Sequence, residues 1–282
     1  MELSTRKVKI VMPIITKVSS QKRPGRFNIF LDGKYSFSAA EQTVAEFMLL
    51  KGQELTEEQI TEIKQFDQDA KATNIASNYL SYEPRTVYEV LQYLNKHGID
   101  NDSAQAAVSQ LTEMGFLDDT KYAQLVITQN LRIGTDGPLS VSNKLRQKGI
   151  DPEIIDNALM AIADDDWLDA GKRVLKSMKS KVGKLARREL ERKKTSKLLS
   201  HGFSSTLAST IAAQIDLPQN DEDQIAALKK QGIKAYKRFR RLSENERQQK
   251  IRNYLFTHGF ASNEIDAFLA GEIIPLDELA EY

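Results

Sequence analysis

LNKHGI at 94–99 is followed along the chain by LRQKGI at 145–150, LSHGF at 199–203 and LFTHGF at 255–260. In each copy a Leu-bearing, helix-compatible run ends in Lys or His, then Gly, then Ile or Phe, and residues that favour helix caps follow. This is a helix stop and restart. The cation suits the negative end of the helix dipole, Gly enters the left-handed region without a Cβ penalty, and the apolar residue folds back onto the last turn. Gly98, Gly149, Gly202 and Gly259 are 51, 53 and 57 residues apart. A near-constant period of that size predicts stacked helical units rather than one globular core.

Each period has room for three helices. In 67–117 a helix carrying Ala72, Ile75, Ala76, Tyr79 and Leu80 stops before Pro84, and a capping box at Thr86 and Glu89 opens a second with Val87, Val90, Leu91 and Leu94. Asp100 or Asp102 opens the third, through Leu111 to Gly115. The unit 118–163 follows the same plan: Asp118 or Asp119 caps the first helix, Gly134 and Gly137-Pro138 break the chain, and Asp151-Pro152 supplies an N-cap with a first-turn proline. The unit 164–217 has an overgrown, cation-dense middle at 181–197. The unit 218–282 contains a run at 221–242 interrupted by Gly232, a capping box at Ser243 and Glu246, a final helix after Ser262 and an acidic tail.

Ahead of the repeats, 1–66 is a small mixed segment. Residues 1–12 read as a weakly ordered start, and from Ile14 the pattern becomes strand-like. Asp32-Gly33 is a strong hairpin signal, because both central residues of a type I′ turn need positive φ. That turn predicts Phe30 opposite Tyr35 and Asn28 opposite Phe37. A helix over 41–50 should cover one face of the sheet, and a capping box at Thr56 and Gln59 opens another helix. The fold class expected is mainly α: tandem three-helix repeats in an elongated curved array, with a small N-terminal β-hairpin and helix segment.

The 282 residues carry 40 cations and 39 anions, so net charge alone points to no polyanionic partner. The absence of cysteine removes disulfides, thiol catalysis and thiolate metal sites, and makes a reducing cytoplasm the simplest setting. The apolar run at 10–15 follows basic residues, but it is short and holds Pro13, so neither a signal peptide nor a membrane span is expected.

Charge is segregated along the chain. Residues 172–197 hold twelve cations and two anions, 151–169 hold seven anions and no cation, 229–241 hold seven cations and no anion, and after Ile265 there are acids only. Segregation on this scale suggests surfaces for different partners or for different parts of one polymer, and basic blocks one repeat apart would lie along a common groove or edge; a solvated face is the alternative for either block alone. His97, His201 and His258 all precede a repeat glycine, in the slot that holds Lys148 in the second unit, which indicates helix-end capping rather than catalysis. Asp164, Asp165 and Asp166 point in different directions on a helix, and Asp118-Asp119 read likewise as N-caps rather than metal ligands. No catalytic residue, metal ligand, cofactor site or small-molecule substrate is indicated.

The order YLSYEPRT at 79–86, LNKHGI at 94–99, GFLDDTKYA at 115–123, LRIGTDGP at 131–138 and LRQKGID at 145–151 closely resembles the RecX family of bacterial recombinase regulators. VSSQKRPGRFNIFLDGKYSFS at 18–38 resembles the N-terminal extension of Gram-positive members. The similarity is strongest over 72–163 and looser over 166–282. It implies a cytoplasmic, non-enzymatic, monomeric protein that binds RecA filaments on single-stranded DNA and modulates, with inhibition expected, their ATPase, strand-exchange and co-protease activities. By motif position it implies a functional surface around Arg85, Arg132, Lys144, Arg146 and Lys148. Charge alone adds Lys172, Arg173, Arg187, Arg188, Lys230, Lys234, Lys237 and Arg238. The alternative is a nucleic-acid binder that grips single- or double-stranded phosphate backbones without sequence preference.

Overall fold

The computed structural model describes residues 12–22 and 24–280, so the start expected to be weakly ordered lies, apart from Met12, outside the described residues. The chain divides into two compact units, one up to Tyr122 and one from Ala123.

In the first unit, β1 (Ile15–Ser20), β2 (Arg26–Leu31) and β3 (Lys34–Ala40) form an antiparallel sheet in that order. Asp32 and Gly33 both have positive φ, 48° and 80°, as the I′ turn requires. Phe30 pairs with Tyr35 as expected, but a bulge then shifts the register, so Asn28 faces Ser38 and Ile29 faces Phe37. The physical gain is burial. Skipping Ser36 places Ile29 and Phe37 together in the core with Ile15, Ala39, Leu49, Leu55 and Ile63.

The helix expected over 41–50 is shorter. α1 (Glu41–Glu46) ends before Met48, whose φ of 46° turns the chain so that Leu49 is buried while Met48 and Leu50 are exposed. α2 (Glu57–Leu80) starts at the Thr56–Gln59 capping box and runs without a break, so the expected division between 66 and 67 falls inside it. Asp67 on α2 fastens sheet to helix: it accepts from the Arg26 guanidinium at 2.8 Å, the Ala40 N–H at 2.6 Å and the Thr43 hydroxyl at 2.9 Å. With α3 (Val87–Lys96) and α4 (Asn101–Glu113), α2 encloses a core of Ala72, Ala76, Val90, Leu94, Ala104 and Leu111.

The next helix, α5 (Asp119–Ile133), shows that the two neighbouring acids act differently. Asp118 caps α5 through the Lys121 N–H at 2.9 Å, whereas Asp119 accepts from Val87 N–H at 3.0 Å and so caps α3. The hydrogen bond from Lys121 N–H lowers the Asp118 carboxyl, while burial raises that of Asp119.

In the second unit α6 (Pro138–Gln147) and α7 (Pro152–Met160) complete the second repeat; α8 (Leu168–Leu175), α9 (Arg187–Ser200) and α10 (Ser205–Gln214) form the third; α11 (Asp221–Phe239), α12 (Glu244–Thr257) and α13 (Ser262–Leu269) form the fourth, followed by α14 (Leu276–Ala280). Three expectations change. The cation-dense middle at 181–197 is helical only from Arg187, where α9 begins; a 3-10 turn, Lys176–Lys181, leads into it. Gly232 does not interrupt α11; a Cβ there would lie 2.2 Å from the Phe268 ring, so the glycine lets α13 pack against α11. Ser243 and Glu246 bond side chain to side chain at 2.7 Å rather than as a capping box.

All four repeat phrases close alike. Gly98, Gly149, Gly202 and Gly259 have φ between 74° and 90°. The next residue's N–H reaches back to the carbonyl of Leu94, Leu145, Leu198 or Leu255 at 3.2–3.3 Å, and Ile99, Ile150, Phe203 and Phe260 are buried. In the third copy the equivalent leucine is Leu198, not the Leu199 with which LSHGF begins; Leu199 is exposed. His97 and His258 place Nδ1 2.8 and 2.6 Å from the carbonyls of Tyr93 and Tyr254; His258 stacks on the Tyr254 ring and His97 lies tilted by 38° against Tyr93, while His201 Nδ1 lies 3.1 Å from Thr135 O. His97 and His258 thus meet carbonyls of their own helix ends, whereas His201 reaches the loop before α6.

Gly202 also makes a repeat junction. Gly137 N–H donates to His201 O at 2.7 Å and Leu139 N–H to Gly202 O at 3.0 Å, so the N-cap and a first-turn donor of α6 are satisfied by carbonyls at the end of α9. A Cβ on Gly202 would sit 2.2 Å from Ser140 Oγ and 2.5 Å from its nitrogen.

Candidate partner-binding surface

The sequence-predicted cations divide into those engaged by the fold and those left outward. Arg85 is largely structural: its guanidinium lies 4.4 Å from the centre of the Tyr79 ring, pairs with Glu83 and has a buried Nε without a hydrogen-bond partner. Tyr79 stacks in turn on Tyr93 at 3.9 Å, so Arg85 ends a column running to His97. Arg173 is half-buried and gives its donors to the carbonyls of Asn130, Leu131 and Gly134 at 2.7–3.2 Å. It caps the end of α5, which removes it from the set of cations free to meet a partner. Arg187 joins the third repeat to the fourth through Gln219 O at 2.9 Å and Asp221 at 3.3 Å.

Lys144 pairs with Asp136, and Lys172 with Asp169 at 2.8 Å, yet both ammonium groups remain exposed. Exposed pairs of this kind hold their partners weakly, at about 0–1 kcal/mol, and release them readily to a competing anion. Lys148 is half-buried at the end of α6. Arg132, Arg146 and Arg188 are exposed and have no ion pair among the described residues.

The fourth repeat carries a regularly spaced basic surface. Lys230, Lys234, Lys237 and Arg241 recur at helical spacing along α11 and past its end, all exposed, while Leu228, Gly232 and Ala235 face the core. Lys237, Arg238, Arg240 and Arg241 line a cleft of about 530 Å³. Such a cleft concentrates positive potential and attracts phosphates or carboxylates without fixing a base or a side chain. Arg240 and Arg241 were not singled out by sequence reasoning, although both lie within the 229–241 block that signalled the site.

The architecture has counterparts in known proteins. The regulatory protein RecX N-terminal domain matches residues 13–56, and the first, second and third RecX three-helix domains match 72–111, 118–159 and 221–269. The chain belongs to the RecX family. Regulatory protein RecX of Lactobacillus delbrueckii subsp. bulgaricus is 53% identical over 272 residues, covering 96% of this chain and 100% of the relative. The Lactobacillus gasseri protein of the same name is 51% identical, with the same shares covered. A crystal structure of regulatory protein RecX superposes with a TM-score of 0.60 at 33% identity, over 72% of this chain and all of that one. The RecX third three-helix domain thus corresponds to the fourth repeat here, and the third repeat falls between the second and third matches. These relatives are named as regulatory proteins, and among the described residues no helix is long and apolar enough to cross a membrane.

Proposed function

We propose that this chain binds the RecA filament on single-stranded DNA and modulates, in the inhibitory direction, its ATPase, strand-exchange and co-protease activities. The observation that carries this reading is the succession of RecX three-helix domains whose exposed faces present Lys144 and Arg146 on α6 and the Lys230–Arg241 stripe on α11. Cations carried on separate repeats favour a polymeric target: each contact is weak, and joining them in one chain raises the effective concentration of the later ones. A regulator of this kind shifts the polymer toward one state only by its differential affinity for that state. The contact surface consists of Arg132, Lys144, Arg146, Lys148, Arg188, Lys230, Lys234, Lys237 and Arg238, with Lys172 at its margin; Arg85, Arg173 and Arg187 act by holding the fold.

The stripe on α11 also favours a second reading, direct grip of a nucleic-acid backbone. ATP hydrolysis by RecA on single-stranded DNA, with co-sedimentation of the filament, tests both. Substoichiometric suppression with co-sedimentation supports the first. Unchanged hydrolysis with tight, salt-sensitive binding to bare DNA supports the second.

A further inference from the structure

In the third repeat, a pocket of about 400 Å³ opens between the end of α8, the 3-10 turn Lys176–Lys181 and the end of α10. Its floor is aliphatic, formed by Leu175, Ile215 and Leu217, and Lys176 and Lys179 stand on its rim. We propose that this pocket receives an acidic peptide segment of a protein partner, with one aliphatic side chain on the floor and flanking carboxylates against Lys176 and Lys179.

Three features carry the assignment. First, residues i and i+3 eclipse on a 3-10 turn, so Lys176 and Lys179 leave the backbone on the same side. Both are exposed and have no ion pair among the described residues; of the other two cations lining the pocket, Arg173 is committed to three carbonyls, while Lys172 keeps only an exposed pair with Asp169. Second, the opposite wall is preformed. Where α10 gives way at Ile215, the carbonyl accepts from Lys194 at 2.8 Å; Lys194 is 2% exposed and pairs with Glu191 at 2.7 Å. A wall fixed before binding reduces the ordering cost of association. Third, no aromatic ring lines the pocket, so a nucleobase would lack the stacking that is worth about 1–3 kcal/mol per base. An aliphatic anchor loses nothing on such a floor. Asp216, exposed on the rim, gives direction, favouring peptide N–H groups on its side and carboxylates on the lysine side.

The proposal stands apart from filament binding and is tested without recombinase. The full chain is titrated against a fluorescein-labelled peptide of sequence DEDLLEDE, a control DEDSSEDE of equal charge, and an eight-nucleotide oligo-dT, read by anisotropy at physiological salt. The leucine peptide is expected to bind at least tenfold more tightly than either control. The double variant Lys176→Glu, Lys179→Glu is expected to weaken it at least tenfold without moving the thermal midpoint. Equal binding of the two peptides, tighter binding of oligo-dT, or no effect of the double substitution overturns the proposal. So does a sedimenting dimer that the double variant dissolves, which would assign the pocket to a second copy of the chain.

Discussion

Replacing Gly202 by Ala separates two roles that a repeat glycine can play. At Gly98 the only penalty of Ala is conformational, because φ is 74° and an added Cβ meets nothing within 4 Å. A non-glycine residue in the left-handed region costs about 1–2 kcal/mol. Gly202 carries the same strain at φ 84° and adds a collision with the Ser140 backbone nitrogen at 2.5 Å. That neighbour is backbone in the first turn of α6, so relief requires moving α6 away from the Gly202 carbonyl that Leu139 N–H uses. Overpacking of this kind costs about 1–3 kcal/mol more, for a total of about 2–5 kcal/mol. Native-state hydrogen exchange read by mass spectrometry resolves each repeat separately. Gly98→Ala should lower protection of α3 and α4 amides about 5- to 30-fold, and Gly202→Ala should lower that of α9 and α10 by about 30-fold or more. Equal losses at the two sites would refute the junction argument.

Arg173→Met should destabilise the second unit by about 2–4 kcal/mol, since it removes a charged donor from three carbonyls at a helix end; thermal unfolding measures this. Asp119 provides a pH test. Burial raises its folded-state pKa above the usual 3.8, so the stability that its protonated form contributes is present below that value and is lost as pH rises through the folded pKa. Asp119→Asn keeps an acceptor for Val87 N–H while removing the desolvated charge; it should leave stability at pH 7 equal or slightly higher and flatten its pH dependence just above 3.8, as urea midpoints across pH will show. Joint replacement of Lys144, Arg146 and Lys148 by Ala should reduce filament binding while leaving affinity for bare single-stranded DNA intact; loss of both in parallel binding assays would favour the nucleic-acid reading.

The repeat architecture was legible because its signal is local. Cation, Gly and large apolar residue within one helix turn specify a helix end whatever lies beyond, and the four phrases adopt one conformation. The bulge after Phe30 was not legible, since it arises from the choice between burying Phe37 beside Ile29 and exposing it beside Asn28. Gly232 read as a break because its reason, the Phe268 ring, is 36 residues away in sequence. The site divided in the same way. The basic blocks were visible as composition, but the role of Arg173 as the cap of α5 depends on carbonyls about forty residues earlier, and no periodicity reports them. Nor did the cation count separate Lys176 and Lys179, aligned by a 3-10 turn, from lysines that merely share the run.

The central claim is that this chain acts on a recombinase filament through cations spread over several repeats. It is tested most directly by ATP hydrolysis of RecA on single-stranded DNA, titrated with the wild-type chain and with a variant carrying Arg146→Glu, Lys230→Glu and Lys234→Glu. The account predicts suppression by the wild type at substoichiometric ratios, with co-sedimentation, and a much weaker effect from the folded variant. Equal suppression by both proteins, or no suppression by the wild type, would contradict it.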